Sequence, residues 1–164
     1  MRILISGASG MVGSAAAAAL RGAGHAVDRL VRPGSATRDE GRSIRWNPAT
    51  GELDRAASED ADAVVHLAGA NIAAGRWTEE RKRLLRSSRV EATRNLVTNL
   101  LQLERRPKVL VAASAIGYYG NRGDAELTEE SEPGNDFLSL LARDWEKETA
   151  RAADFGIRTV MLRF

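Results

Sequence analysis

The sequence contains no cysteine, and Lys82, Lys108 and Lys147 are the only lysines among its 164 residues. The lack of cysteine excludes a disulfide framework, a thiolate metal site and a cysteine nucleophile. Arginine supplies nearly all of the positive charge, with 21 residues, so few ammonium groups are available for catalysis. The formal net charge is only +2, which argues against a nucleic-acid-binding protein.

The sequence also lacks a long apolar segment. No apolar run approaches the ~20 residues that a membrane-spanning helix needs, and the apolar residues 2–6 follow Met1 too closely for a signal peptide. We therefore expect a cytoplasmic protein that has no membrane partner. The hydrophobic fraction of 43% is typical of a folded chain, and we expect residues 1–164 to form one domain.

Short apolar runs alternate with helical stretches along the chain. The predicted strands are residues 2–6, 26–31, 43–46, 62–67, 108–113 and 157–162, and the predicted helices are residues 11–21, 78–103 and 136–155. Strands that alternate with helices are joined by right-handed crossovers into a parallel sheet that is covered on both faces. The pattern predicts an α/β fold: a doubly wound parallel sheet, or Rossmann fold, of six or seven strands flanked by helices.

A glycine-rich turn, SGASGMVG, joins the first predicted strand to an alanine-rich helix. At such a turn a pyrophosphate can reach the unpaired N–H groups of a helix N-terminus only where no Cβ blocks the backbone. Gly7 would form the tight turn, Gly10 would admit the phosphate, and Gly13 would let the helix lie close to the strand. The alternative is a plain glycine-rich turn without a ligand. The predicted cofactor-binding residues here are Gly7, Ser9, Gly10, Met11, Val12 and Gly13.

Arg32 stands at the end of the second predicted strand. In dinucleotide-binding folds a carboxylate at this position binds the ribose 2′-hydroxyl of NAD, whereas an arginine pairs with the 2′-phosphate of NADP. Asp28 lies inside the strand and is expected to point elsewhere. The sequence therefore predicts that NADP(H) is favoured over NAD(H), the alternative being that Arg32 is an ordinary surface arginine.

Several longer strings carry a family resemblance. They are GASGMVG (7–13), HLAGANIAAGRW (66–77), KRLLRSSR (82–89), EATRNLV (91–97), SAIGYYG (114–120) and RDWEKE (143–148). With these strings the chain resembles the extended short-chain dehydrogenase/reductase superfamily. Within that superfamily it is most similar to the atypical epimerase-like branch, nucleoside-diphosphate-sugar epimerases related to the human epimerase family protein of class 39U.

The resemblance implies further features of the cofactor site and of the domain organisation. Leu67, Ala68 and Gly69 would line the nicotinamide-ribose side of the cofactor. His66 follows two valines, so we interpret it as a packed, hydrogen-bonded residue and not as a catalytic base. Family members continue well past the position of Phe164, so residues 1–164 are expected to be the dinucleotide-binding Rossmann domain, with the substrate-binding part absent from this chain.

The standard catalytic pair of the superfamily is missing from the sequence. Active members use a tyrosine and a lysine four residues later, but Arg122 and Gly123 occupy those positions after Tyr118 and Tyr119. Placing the family helix by its RDWEKE string puts Leu138 near the tyrosine position and Ala142 near the lysine position, and neither side chain can transfer a proton.

Ser114, Tyr118 and Tyr119 remain as candidate catalytic residues. Ser114 best matches the family's catalytic serine, and its hydroxyl could bind a substrate oxygen. Either tyrosine could replace the missing proton donor, although without a neighbouring lysine a phenol is a poor base at neutral pH. The alternative is that both tyrosines only pack a loop.

The segment after HLAG carries candidate substrate- or phosphate-binding residues. Asn71, Arg76 and Trp77 would form a loop folded toward the cofactor or substrate, and Lys82 follows on the next helix. That helix carries a basic run of Arg81, Lys82, Arg83, Arg86 and Arg89. The run is either a solvated helical face or, through Lys82, Arg86 and Arg89, a surface for a phosphate-bearing ligand or a partner subunit.

Two functions fit these features. One is an NADP(H)-dependent oxidoreductase or epimerase with a non-standard active site, acting on a small molecule such as a nucleotide-linked sugar or another carbonyl compound. The other is a non-catalytic module that binds or senses NADP(H), which the missing tyrosine and lysine pair favours. Neither requires a metal or a nucleic acid, and both are compatible with an oligomer.

Overall fold

A computed structural model describes residues 1–35 and 41–164, and this part of the chain contains one parallel sheet of six strands. The sheet order is β3-β2-β1-β4-β5-β6, and every neighbouring pair is parallel. This arrangement confirms the predicted doubly wound α/β fold. The strands are β1 (Arg2–Ser6), β2 (Ala26–Val31), β3 (Ser43–Arg45), β4 (Ala63–His66), β5 (Val109–Ser114) and β6 (Arg158–Arg163).

The α-helices connect successive strands. They are α1 (Met11–Gly22), α2 (Arg55–Ser58), α3 (Glu79–Arg86), α4 (Ala92–Leu101) and α5 (Phe137–Ala150). Single turns of 3₁₀-helix lie at Ile116–Tyr119 and Ala153–Phe155. The one-turn helix α2 was not predicted, because it is too short to show an apolar periodicity; the Asp54 carboxylate begins it by accepting a hydrogen bond from the Ala57 N–H.

The long helix predicted over residues 78–103 is interrupted. It begins as expected at Thr78, whose hydroxyl accepts a hydrogen bond from the Arg81 N–H. Between α3 and α4 the chain forms a π-helical turn at Ser87–Glu91. A π-helical turn inserts an extra residue and shifts the apolar face, and such turns are frequent at functional sites.

Helices cover both faces of the sheet because side chains alternate along each strand. One core cluster joins β1 to α1 and consists of Ile3, Ile5, Ala17, Val27 and Ala63. A second cluster contains the intervening strand residues Leu4, Val64 and Leu110 together with Leu96 and Leu100 of α4. The two clusters therefore lie on opposite faces of the sheet, as a doubly wound fold requires.

The strand order reverses between β1 and β4. These strands are neighbours, with Ser6 opposite His66, while the chain leaves β1 toward β2 on one side and leaves β4 toward β5 on the other. In open α/β sheets the ligand crevice opens at the carboxyl ends of the two strands that flank such a reversal. The glycine turn and the HLAG segment both begin at this edge.

No helix in residues 1–35 and 41–164 combines the length and the apolar character that crossing a membrane would require.

Candidate functional site

The glycine turn after β1 has no room for side chains at two of its glycines. Gly7 adopts a φ of +72°, and a Cβ atom there would lie 2.7 Å from the carbonyl carbon of Leu67. A Cβ atom on Gly13 would lie 2.2 Å from the carbonyl oxygen of Gly7. The first glycine therefore lets the turn pass against the end of β4, and the last lets α1 pack directly on the turn.

The first turn of α1 presents free backbone donors. The N–H of Ser14 donates the first intrahelical bond, to the Gly10 carbonyl at 2.8 Å, so the N–H groups of Met11, Val12 and Gly13 precede the hydrogen-bonded turns. Gly10 and Ser9 are exposed and the Met11 side chain is 88% exposed. With no acidic residue in this turn, the positive end of the helix is open to an anion.

The HLAG segment is tied to β1 through Ser6. Its hydroxyl oxygen accepts hydrogen bonds from the N–H groups of Leu67 at 3.2 Å and Ala68 at 3.3 Å. The same oxygen lies 2.6 Å from Nδ1 of His66. These contacts hold Leu67 and Ala68 beside the glycine turn, which is where the cofactor residues were predicted to lie.

His66 is fully buried and hydrogen-bonded at both ring nitrogens. Its Nε2 lies 3.0 Å from Oγ1 of Thr93, which also accepts a hydrogen bond from the indole N–H of Trp145. Burial lowers the pKa of His66 to about 4, so the ring is neutral at neutral pH. The structure thus agrees with the interpretation of His66 as a packed residue with a structural role.

Arg32 follows β2 immediately and is exposed. Asp28, the carboxylate earlier in the strand, accepts a hydrogen bond from Nε of Arg2 at 2.8 Å. Asp28 is thereby occupied within the sheet, as expected. Arg32 is the charged side chain that stands at the carboxyl end of β2.

The candidate catalytic residues meet around one ion pair. Ser114, at the end of β5, donates its hydroxyl to Oε1 of Glu146 at 2.5 Å and is only 4% exposed. The Tyr119 hydroxyl accepts a hydrogen bond from Nη1 of Arg163 at 2.7 Å. The guanidinium carbon of Arg163 also lies 3.7 Å from the ring centroid of Tyr118, so all three predicted residues contact Glu146 or Arg163.

Glu146 and Arg163 form a two-point ion pair that was not predicted. Nε of Arg163 binds Oε1 of Glu146, and Nη2 binds Oε2, each at 2.8 Å. Hydrogen bonds to Glu146 and Tyr119 raise the pKa of Arg163 above its usual range. Glu146 lies in the RDWEKE string and Arg163 ends β6, but no local pattern in the sequence indicates that two residues from these elements pair.

Helix α5 presents aliphatic side chains where the resemblance placed the tyrosine and lysine pair. Leu138 packs against the 3₁₀ turn, since a Cβ atom on Gly117 would lie 3.3 Å from Cβ of Leu138. Ala142, one helical turn later, is buried. At these two positions α5 therefore only packs against the segment that carries Tyr118 and Tyr119, while the Ser139 hydroxyl of the same helix donates to the Gly117 carbonyl at 3.0 Å.

The loop after HLAG is organised mainly by its own contacts. The Asn71 side chain accepts a hydrogen bond from the Ala73 N–H at 2.9 Å. The Trp77 indole donates to the Ile72 carbonyl at 3.2 Å, and its ring lies 5.9 Å from that of Phe137. Lys82 pairs with Glu79 at 2.8 Å, and Arg76 is exposed without an ion pair in the described ranges.

The profile of the NAD dependent epimerase/dehydratase family matches residues 3–164. An epimerase family protein of Mycobacterium bovis is 43% identical over 161 residues, which cover 98% of this chain and 52% of that protein. The human epimerase family protein SDR39U1 is 34% identical over 167 residues, covering 99% of this chain and 53% of the human protein.

Two solved structures share the fold closely. The nucleoside-diphosphate sugar epimerase of Corynebacterium glutamicum superimposes with a TM-score of 0.82 at 37% identity, over 99% of this chain and 33% of that one. Human SDR39U1 isoform 2, crystallised with NADPH, superimposes with a TM-score of 0.82 at 31% identity, over 99% of this chain and 53% of that one. The chain spans about half the length of the curated relatives that it matches.

Proposed function

Because the chain belongs to the NAD dependent epimerase/dehydratase family, in its epimerase-like short-chain dehydrogenase/reductase branch, we propose that it is the cofactor-binding part of an NADP(H)-dependent oxidoreductase or epimerase. In this proposal residues 1–164 form the dinucleotide-binding domain, and a further part of the protein binds the substrate. The proposal includes a cytoplasmic location.

The observation that carries the proposal is the turn between β1 and α1. Its glycines leave no side chain between an anion and the free N–H groups of Met11, Val12 and Gly13. A pyrophosphate fits this edge because its charge is opposite to that of the helix N-terminus and its oxygens accept from backbone donors. Leu67 and Ala68, held by Ser6, would flank the nicotinamide ribose, with Gly69 beside them.

The preference for NADP(H) rests on Arg32. A guanidinium can bind a phosphate through two parallel hydrogen bonds, whereas it gains much less from the ribose hydroxyl of NAD(H). Arg32 is exposed at the end of β2, and the carboxylate of Asp28 is held by Arg2. The NADPH in the crystal structure of human SDR39U1 supports the same preference.

The proposed catalytic residues are Ser114, Tyr118 and Tyr119. The nicotinamide, when bound, supplies or accepts the hydride. Because the Tyr119 oxygen accepts a hydrogen bond from Arg163, its own O–H proton is free to be donated to a carbonyl oxygen of the substrate. Arg163 also stacks on Tyr118, so one cation positions both phenols, while Ser114 anchors the start of the segment through Glu146.

The proposed substrate is a small carbonyl compound or a nucleotide-linked sugar. The similarity to the nucleoside-diphosphate sugar epimerase of Corynebacterium glutamicum supports the second class. Asn71, Arg76, Trp77 and Lys82 would bind such a substrate only if the loop after HLAG opens toward the crevice, because three of their side chains now contact neighbours within the loop or on α3 and α5.

The proposal is tested by cofactor binding to the full chain. We expect the unmodified protein to bind NADPH, and Gly10→Ala to weaken that binding by at least about tenfold, because the added methyl group stands where the phosphate must approach. Gly22→Ala, at the far end of the same helix with open space around it, is the matched control. Equal NADPH binding by Gly10→Ala and the unmodified protein would overturn the assignment of the turn.

A non-catalytic NADP(H)-binding module is the second candidate. The observations that favour it are the aliphatic Leu138 and Ala142 on α5 and the engagement of the Ser114 hydroxyl by Glu146. Incubation of the full-length protein, including the part that binds the substrate, with NADPH and a panel of carbonyl and sugar-nucleotide substrates separates the two. The reaction is followed by nicotinamide absorbance and by product analysis, which also detects a redox-neutral epimerisation. Turnover that falls in Tyr119→Phe supports the enzyme, whereas tight binding without any product supports the module.

A further inference from the structure

Arg89 occupies an unusual position in the helical segment after the HLAG turn. It lies in the middle of the π-helical turn Ser87–Glu91. Its guanidinium approaches the backbone of Gly69, where an added Cβ atom would lie 3.4 Å from Cζ of Arg89. The π-helical turn therefore directs a cation at the small-residue segment that follows β4, at the edge where the ligand crevice opens.

Arg89 is partly buried and lacks an acidic partner. Within residues 1–35 and 41–164 its hydrogen bonds are two long contacts from Nη1, to the Leu85 carbonyl and the Ser88 hydroxyl, both at 3.4 Å. Its guanidinium stacks on the Trp145 ring, 5.4 Å from the centroid. The stacking orients the planar group and leaves most of its N–H donors available.

The other cations of the same basic run behave differently. Lys82 pairs with Glu79 and Arg86 pairs with Asp144, both at 2.8 Å, and Arg83 is exposed to solvent. Arg89 thus combines partial burial with the absence of a counter-charge among the described residues. A buried charge without a partner is costly unless a ligand neutralises it.

A second unneutralised cation, Arg81, lies close to Arg89. Its Nη2 donates to the Asn71 carbonyl, and its Nε is buried without a hydrogen-bond partner in the described part of the chain. Burial and the charge of Arg81 lower the pKa of Arg89. Two like charges that act on each other in this way favour an anion beside them.

We propose that Arg89, assisted by Arg81, binds a phosphate group of a ligand that lies against Gly69. The inference rests on the proposed function only in that the ligand occupies the same crevice. A phosphate suits the pair because two guanidinium groups can share its oxygens in bidentate hydrogen bonds, and its charge removes the repulsion between them.

The phosphate could belong to the dinucleotide or to a second, nucleotide-linked ligand. Binding of NADPH and of uridine diphosphate, measured separately by calorimetry on the full chain, distinguishes these sources. Arg89→Gln is expected to lower the affinity for the phosphate ligand that contacts the two arginines by at least about tenfold. This is the loss expected when charge-assisted hydrogen bonds are removed. Arg89→Lys, which keeps the charge but not the fork of donors, should restore part of the affinity.

Arg83→Gln is the matched control, since it removes the same charge from an exposed position on α3, and it should leave both affinities within about twofold of the unmodified protein. If the loss of stacking on Trp145 makes Arg89→Gln too unstable to study, Arg81→Gln is the second variant. It is expected to lower the affinity for the same phosphate ligand. Circular dichroism verifies that each variant is folded.

The inference is overturned if folded Arg89→Gln or Arg81→Gln binds NADPH and uridine diphosphate as tightly as the unmodified protein, or if neither compound binds the unmodified protein. Its failure is distinguishable from that of the proposed function. Loss of NADPH binding in Gly10→Ala with no effect of Arg89→Gln would leave the cofactor site standing and remove the arginine site. Weaker uridine diphosphate binding in Arg89→Gln with unchanged NADPH binding in Gly10→Ala would support the arginine site and remove the assignment of the cofactor site to the glycine turn.

Discussion

Gly13 packs so closely on the carbonyl oxygen of Gly7 that a Cβ atom at Gly13 would lie 2.2 Å from that oxygen. The contact brings the first turn of α1 onto the end of β1, and backbone atoms on both sides leave nothing flexible to give way. The same closeness places the free N–H groups of α1 beside the crevice between β1 and β4.

Gly13→Ala is therefore expected to lower the free energy of unfolding by about 2 kcal/mol or more, because α1 must move away from the turn. NADPH binding should fall with it. Gly22→Ala, at the open C-terminal end of α1, should instead raise stability by up to about 1 kcal/mol, since alanine favours helix. Chemical denaturation of the two variants measures both changes, and equal stability of the two would contradict the packing argument.

Glu146→Gln removes the negative charge of the carboxylate that pairs with Arg163 and accepts a hydrogen bond from the Ser114 hydroxyl. The Glu146 and Arg163 side chains are only 11% and 18% exposed, so we expect a loss of about 2 kcal/mol of unfolding free energy. Catalytic turnover, where it is found, should fall because Tyr119 loses its positioning. Glu130→Gln, at an exposed position, is the control and should change neither the free energy of unfolding nor the turnover.

The buried His66 predicts a pH dependence of stability. Its pKa is lowered from 6.5 to about 4 in the folded protein, so the unfolded chain binds a proton first as the pH falls. The contribution of His66 is fully present above pH 6.5 and is lost progressively toward pH 4, amounting to about 3 kcal/mol.

Thermal unfolding of the unmodified protein and of His66→Gln, compared between neutral pH and pH 4, isolates this contribution. The difference between the two proteins should shrink as the pH falls through this window, because only the unmodified protein carries the buried ring. His25→Gln removes the other histidine of the chain. A pH dependence that followed His25 and not His66 would refute the assignment.

Arg32→Gln tests the coenzyme preference. We expect NADPH affinity to fall by about tenfold while NADH affinity stays within about twofold, because only the 2′-phosphate contacts the guanidinium. Arg158→Gln makes the same charge change at an exposed position at the opposite edge of the sheet and should affect neither. Tighter NADH than NADPH binding by the unmodified protein would refute the preference.

The elements that the sequence predicted best are those specified by local pattern. The β-branched runs of β1, β4 and β5 and the glycines that follow β1 report backbone conformation and burial directly, and the structure contains them within one or two residues. The π-helical turn at Ser87–Glu91 was not predicted, because its residues have ordinary helix-forming character and only packing between α3, α4 and α5 reveals the shift.

The residues of the candidate site likewise include some that local spacing predicts and others that only packing brings together. Gly7, Gly10 and Gly13 could be selected from spacing alone, because a tight turn that touches a helix N-terminus excludes every larger residue. Glu146 and Arg163 could not, since they lie 17 residues apart on different elements and Ser114 is 32 residues from its acceptor. Contacts over such separations arise only when the strands and helices pack.

The sequence by itself determined that the chain folds as alternating strands and helices with a glycine turn at a helix N-terminus, because periodicity, Cβ sterics and helix propensity act between near neighbours. The tertiary structure alone decided which of the many arginines are neutralised. Arg86 and Arg163 form ion pairs with carboxylates, whereas Arg89 stacks on the Trp145 ring and lies close to the backbone of Gly69. Whether an arginine is neutralised depends on which groups, distant in sequence, lie next to it in the fold. Packing determines those neighbours, and the order of residues along the chain does not.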